Sequence, residues 1–156
     1  MMAVPELGNH DATIDPTRDQ VRALRDQGRE GPVVMANFLK FRAEARYPAG
    51  HPDAGGTGAE AYARYQHAFT VTVGATSQAE VLYEGPVEQC VIGVAGAAES
   101  DWDRLLLVRY PSRRHFLAMM ADDTYRAALV HRYAGLERTV LLQCGPAGAR
   151  GAAEGL

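Results

Sequence analysis

Leu105, Leu106, Leu107 and Val108 form an unbroken apolar run, the pattern of a strand covered on both faces. Pro111 ends the run, because proline has no backbone N–H for a ladder. Ser112 then stands at a helix N-cap position, with Phe116, Leu117 and Met120 at helical spacing behind it. Asp122 or Asp123 can cap a second helix in which Tyr125, Leu129 and Arg132 share one face. Gly135 is placed to end that helix in the left-handed conformation, and Thr139 to Cys144 reads as a strand.

The first half of the chain follows the same strand–helix–strand plan behind an extra helix. Residues 1–14 read as irregular, and Asp15-Pro16 predicts a helix that runs to Gln27 and stops at Gly28. Pro32 to Phe41 is a strand with Val33, Met35, Asn37, Leu39 and Phe41 on one face. Val34, Ala36, Phe38 and Lys40 occupy its other face, so both faces are apolar apart from one polar residue each. Arg42 to Gly58, with Pro48, Pro52 and four glycines, reads as a long mobile loop of the kind that often serves as a lid. Ala59 to Val73 is helical, with Tyr62, Tyr65, Phe69 and Val73 on one stripe. Glu80 to Glu84 predicts a strand, broken or bulged at Gly85-Pro86, that Val87 to Val94 either continues or pairs with as a hairpin. Gly145 to Leu156 has the composition of a frayed tail.

Helix, then β-α-β(β)-β-α-α-β, is the order of a split βαβ, ferredoxin-like α+β domain: a four-stranded antiparallel sheet with helices on one face. The expected organisation is an extension with one surface helix (1–31), the sheet domain (32–144) and the tail (145–156). The sheet's second face is also apolar. One subunit leaves it bare, so a second copy is expected to cover it, forming a dimeric α/β barrel.

Composition adds exclusions. The 156 residues carry a net charge of −3 with no basic block, so no nucleic-acid partner is expected. Lys40 is the only lysine among 16 basic residues, and the planar fork of arginine suits anion recognition. No apolar run reaches membrane-spanning length and the N-terminus lacks a signal-peptide pattern, which predicts a cytoplasmic protein with no membrane partner. Cys90 and Cys144 make no CxxC and read as reduced, buried thiols.

The segments VVMANFLKFR (33–42), AYARY (61–65), Glu84-Gly85 and SDWDRLLLVRYPSRRHFLAMMADDTYRAALVHR (100–132) resemble the family known as domain of unknown function 1330, in the dimeric α/β-barrel superfamily. The resemblance covers residues from about 32 to 144. It implies a cytosolic homodimer with a pocket between sheet and helices. Related barrels include cofactor-free monooxygenases, polyketide cyclases, isomerases and haem-dependent enzymes, so the fold alone does not choose the chemistry. Val73-Gly74, Arg109 and Gln66-His67 depart from the family's pattern, and the N-terminal helix is an addition.

Candidate site residues follow from polar groups in apolar settings. Asn37 either positions a ligand carbonyl or enolate, or satisfies loop backbone. Lys40 is either a base or Schiff-base nucleophile, or the partner of a carboxylate at the strand end. Arg132, on the Tyr125 stripe, either holds an anionic substrate or ties its helix to Asp101, Asp103 or Glu84. His131 is either a general acid or base, or a cation favoured at a helix C-terminus. His67, beside Tyr62, Tyr65 and Phe69, either serves as base or haem ligand at a pocket for a flat organic molecule, or belongs to an aromatic core stripe. Trp102 closes a pocket or anchors a dimer, and Arg113-Arg114 reads as a solvated pair. His51 and Asp53 lack partners at metal-ligand spacing, so no metal is expected, and there is no GxSxG, P-loop or GxGxxG on a strand–helix turn. The functional expectation is a protein that binds a small organic molecule without a cofactor. It is either an enzyme of the cyclase, isomerase or monooxygenase type or a non-catalytic binding protein, with haem-dependent chemistry as a further alternative. His67, His131 and Asn37 are the catalytic candidates; Arg132, Tyr65, Tyr125, Trp102 and Lys40 are the substrate-binding ones.

Overall fold

The computed structural model describes residues 11–150. The expectations for residues 1–10 (an irregular start without a signal sequence) and for the end of the tail, 151–156, lie outside the described residues.

The elements are α1 (Arg18–Asp26), β1 (Val33–Phe41), α2 (Gly58–Thr72), β2 (Glu80–Pro86), a 3₁₀ turn (Ala98–Ser100), β3 (Arg104–Tyr110), α3 (Arg113–Ala121), α4 (Asp123–Gly135) and β4 (Leu136–Cys144). The sheet order is β2-β3-β1-β4 with every neighbouring pair antiparallel. This is the ferredoxin-like α+β arrangement. Val33, Met35 and Leu39 of β1 and Leu106, Val108 and Tyr110 of β3 face the helices and are buried. Phe116, Met119, Met120, Tyr125 and Leu129 close over them from α3 and α4.

Local chemistry sets the helix ends. Ser112 accepts from the His115 N–H to start α3, and Asp122 accepts from Thr124 and Tyr125 to start α4. α1 begins later than Asp15-Pro16 predicts. Thr17 accepts from the Gln20 N–H while the Gln20 side chain accepts from the Thr17 N–H, a capping box that closes two orphan donors at once. Arg113 is not a solvated side chain: it donates to the carbonyls of Leu24, Gln27, Gly28 and Arg29 and so clamps the C-terminal end of α1 onto α3.

Four further expectations are corrected. Val87 to Val94 forms no strand; after Val87 donates to the Asp103 carbonyl the chain leaves the sheet, and Val91 and Ile92 are 84% and 95% exposed. The sheet irregularity falls at Leu82, between Val81 and Tyr83, rather than at Gly85-Pro86. Gly135 has no positive φ. Its small size is needed instead because a Cβ there would lie 2.6 Å from the Gly58 carbonyl oxygen, where the start of α2 crosses the end of α4. β4 begins directly after it, at Leu136. Neither cysteine is buried: Cys90 is half-buried and Cys144 exposed.

The second sheet face carries Val34, Ala36 and Phe38 from β1, Leu105 and Leu107 from β3, and Val140 and Leu142 from β4. Val140 and Leu142 are 39% and 52% exposed, and at one end Trp102 lies on Phe38 with ring centroids 5.9 Å apart. Val34 and Ala36, in the central strand, are buried at 8% and 6% exposure, so the exposed residues of this set lie in β4.

Candidate functional site

Between the helix-side face of the sheet and helices α2 to α4 lies a cavity of about 580 Å³. That size is within the range, roughly 300–1,000 Å³, of pockets that hold small organic ligands. Its floor is the helix-side residues of β1 and β3: Met35, Asn37, Leu106, Val108 and Tyr110. Gly58 and Gly135 let the backbones of α2 and α4 meet at one end, and Gln66 of α2 reaches Glu84 of β2 at 2.9 Å.

The walls are aromatic. Tyr62, Tyr65 and Phe69 line it from α2, Tyr110 and Phe116 from β3 and α3, and Tyr125 from α4. Tyr65 and Tyr125 meet nearly edge to face, with centroids 6.1 Å apart and the Tyr65 hydroxyl donating to the Tyr125 oxygen at 3.3 Å. Burial pushes the Tyr62 phenol up to about 12 and the Tyr65 phenol well above its usual value; burial likewise raises Tyr110. These hydroxyls therefore stay protonated and offer donors rather than bases.

Arg132 reaches this cavity from α4. Its Nη1 donates to the Ile14 carbonyl at 2.5 Å and lies 3.7 Å from Asp15 Oδ1, while Tyr133 donates to Asp15 Oδ2 at 3.2 Å. Burial disfavours its charge, but the surrounding Tyr125, Tyr65 and Tyr62 and the Asp15 carboxylate outweigh that, so it remains a guanidinium. Its structural partner is thus the N-terminal segment, not Asp101, Asp103 or Glu84. Its Nε and Nη2 donate to no group among the described residues.

Asn37 lines the same cavity, but with the opposite polarity to that expected. Its Nδ2 donates to the carbonyls of Met35 and Leu106, each at 3.2 Å. Those two acceptors fix the amide's orientation, because Oδ1 in that place would face two oxygens. Both N–H groups are spent, so the group left for a ligand is Oδ1, an acceptor that would repel an enolate and take a hydroxyl.

At the mouth, His67 lines the cavity from an exposed position on α2. Beside it Gln66 donates to Glu84 Oε1 at 2.9 Å, and Arg104 joins both at 3.2 Å. Sequence reasoning did not single out this Gln66–Glu84–Arg104 rim; its signal was a polar position on each of three otherwise apolar segments.

His131, Lys40 and Trp102 stand elsewhere. His131 faces away from Arg132 on α4 and meets Tyr47 of the 42–57 loop, with Nδ1 2.8 Å from the phenol oxygen. Arg64 donates to the same oxygen at 3.0 Å, and His51 stacks on Tyr47. Burial holds the His131 pKa below its ordinary value; Asp53 opposes this and His51 and Arg64 add to it. The loop is also pinned by Arg42 N–H to the Gly135 carbonyl and Arg46 N–H to the Ala134 carbonyl. None of its residues lines the cavity, so it is a clasp on the helices rather than a lid. Lys40 is on the second sheet face, paired with Asp101 at 3.0 Å and Asp103 at 3.4 Å. Trp102 lies beside it under the Arg138 guanidinium, 4.3 Å from the ring centre.

Among the described residues no group of three or more His, Cys, Asp or Glu could hold a metal ion, and no helix is long and apolar enough to cross a membrane.

The chain is similar to the RPA0582 protein of Rhodopseudomonas palustris, whose crystal structure is described as that of a protein of unknown function. The two share 34% identity and a TM-score of 0.76 over 87% of this chain and 98% of that one. The structure of methylated RPA0582 gives the same identity and TM-score over 92% of this chain and all (100%) of that one. No family model matches the chain, and no curated protein does.

Proposed function

The chain belongs to the family of the Rhodopseudomonas palustris RPA0582 protein, and on that footing we propose that it binds a small, flat organic anion in the cavity between sheet and helices. The observation that carries this reading is the placement of Arg132, a largely buried cation whose Nε and Nη2 donate to no group among the described residues, among four tyrosines and beside the free acceptor of Asn37. Arg132 suits a carboxylate or enolate oxygen, Asn37 Oδ1 suits a hydroxyl, and the rings suit a planar body. A charge held in such a low-dielectric site interacts far more strongly than in water.

Calorimetric titration with 2-naphthoate and its neutral counterpart 2-naphthylmethanol tests this reading. The anion is expected to bind at least tenfold more tightly, and Arg132→Met to abolish that preference. Equal binding of the two probes, or an unchanged preference in the variant, would refute it.

His67 favours a catalytic version of the same reading, since an imidazole that can give and take a proton shares the cavity with Arg132. With an enolisable acid, His67 would take the carbon-bound proton while Arg132 stabilises the enolate oxygen. Phenylpyruvate reports on this through its keto–enol interconversion: acceleration that His67→Asn removes, with naphthoate binding intact, supports an enzyme. No acceleration leaves a binding protein. In either case a second copy of the chain is proposed to cover the apolar sheet face, which supports a homodimer.

A further inference from the structure

A second cavity, of about 410 Å³, lies between α1 and the β4 edge. Its character differs from the first: Ile14, Pro16, Val21, Leu24 and Met120 make it aliphatic where the other is aromatic. The two share Met35, Phe116, Tyr125, Arg132 and Leu141, so they adjoin along these side chains, of which Arg132 is the charged one. The N-terminal segment forms the outer wall. Thr13 accepts from the Thr139 N–H at 2.8 Å along the β4 edge, and Ile14 and Asp15 hold Arg132 from that side.

From this geometry we infer that the ligand is two-part: a flat aromatic head in the first cavity, an anionic oxygen at Arg132, and an aliphatic chain in the second cavity beneath α1. The inference rests on the proposed anion site and adds its substrate class. Because Arg132 stands at the junction, the chain must branch from the head next to the anionic group. A chain on the far side of the ring would point to the mouth at His67 instead. The N-terminal segment is then the specificity element that encloses the chain.

Two homologous probe series decide the matter: 2-alkoxybenzoates and 4-alkoxybenzoates with one to seven chain carbons, titrated against the full-length protein. The 2-alkoxy series should tighten about three- to fourfold per added methylene until the second cavity is full, from the transfer free energy of a CH₂ group. The 4-alkoxy series should stay nearly flat. Val21→Trp, which fills the second cavity, should remove the gain with chain length. Should that variant fail to fold, the contrast between the two series in the natural protein still decides. A flat 2-alkoxy series, or a gain that survives in a folded Val21→Trp protein, overturns the two-part ligand while benzoate binding leaves the anion site standing. Failure of every member to bind overturns both.

Discussion

The Asp15 carboxylate lies 3.7 Å from the Arg132 guanidinium, with 2% and 15% of the two side chains exposed. This pair joins the N-terminal extension to the last helix and fixes the cation at the meeting point of the two cavities. Asp15→Asn keeps a partner for the Tyr133 hydroxyl but removes the charge. It should cost about 1–3 kcal/mol in urea unfolding, the range for leaving a buried charge less well paired. A loss near zero would mean that the Ile14 carbonyl alone holds the arginine.

The crossing of α2 and α4 depends on the absence of side chains. A Cβ on Gly58 would lie 2.2 Å from the Arg42 carbonyl oxygen and 2.6 Å from that of Gly135. Both neighbours are backbone and cannot turn aside. Gly58→Ala should therefore destabilise the fold by about 3 kcal/mol, measured by chemical denaturation. A change well under 1 kcal/mol would show that the helices separate at little cost.

The Tyr47–His131 contact predicts a pH response of the loop. Arg64 donates to the Tyr47 oxygen, and a neutral His131 with Nδ1 unprotonated can accept the phenol's own proton across the 2.8 Å contact. Burial depresses the folded-state pKa of this histidine below 6.5. The unfolded state then binds a proton first as pH falls, so the clasp's stabilisation is complete above the unfolded pKa and declines as pH drops below it. Hydrogen exchange at the Arg46 amide, corrected for intrinsic rate, should quicken between pH 7.5 and 5.5. In His131→Asn it should be fast at both. A pH-independent amide in the natural protein would contradict the clasp.

The exposed Val140 and Leu142, with Leu105, Leu107 and Phe38, predict self-association through the second sheet face. Sedimentation velocity should show a dimer, and Leu142→Glu should shift it towards monomer with the fold retained. A natural protein that sediments as a monomer at every concentration would remove this interface.

The sequence made most of this legible where periodicity is strict. Residue parity along β1 put Asn37 with Met35 and Leu39 on one face and Lys40 on the other, as found; the helices cover the Asn37 face. The sequence grouped His131 with Arg132 at one site, but the two side chains take different surroundings: Arg132 lines the cavity, and His131 meets Tyr47 of the 42–57 loop. What the pattern could not supply was partners distant in the chain. Arg132 found Asp15, and Arg113 found the carbonyls that end α1. Nor could it orient an amide: only the Met35 and Leu106 carbonyls turn Asn37 into an acceptor. Val87 to Val94 misled because its apolar residues resemble a strand, whereas Val91, Ile92 and Val94 stand exposed away from the sheet.

The most direct test of the central claim is a crystal structure grown with 2-naphthoate. The account predicts the naphthyl ring between Tyr65, Tyr125 and Phe116, with the carboxylate in hydrogen-bond contact with Arg132. A naphthoate found only on the second sheet face, with the cavity at Arg132 holding none, would contradict it.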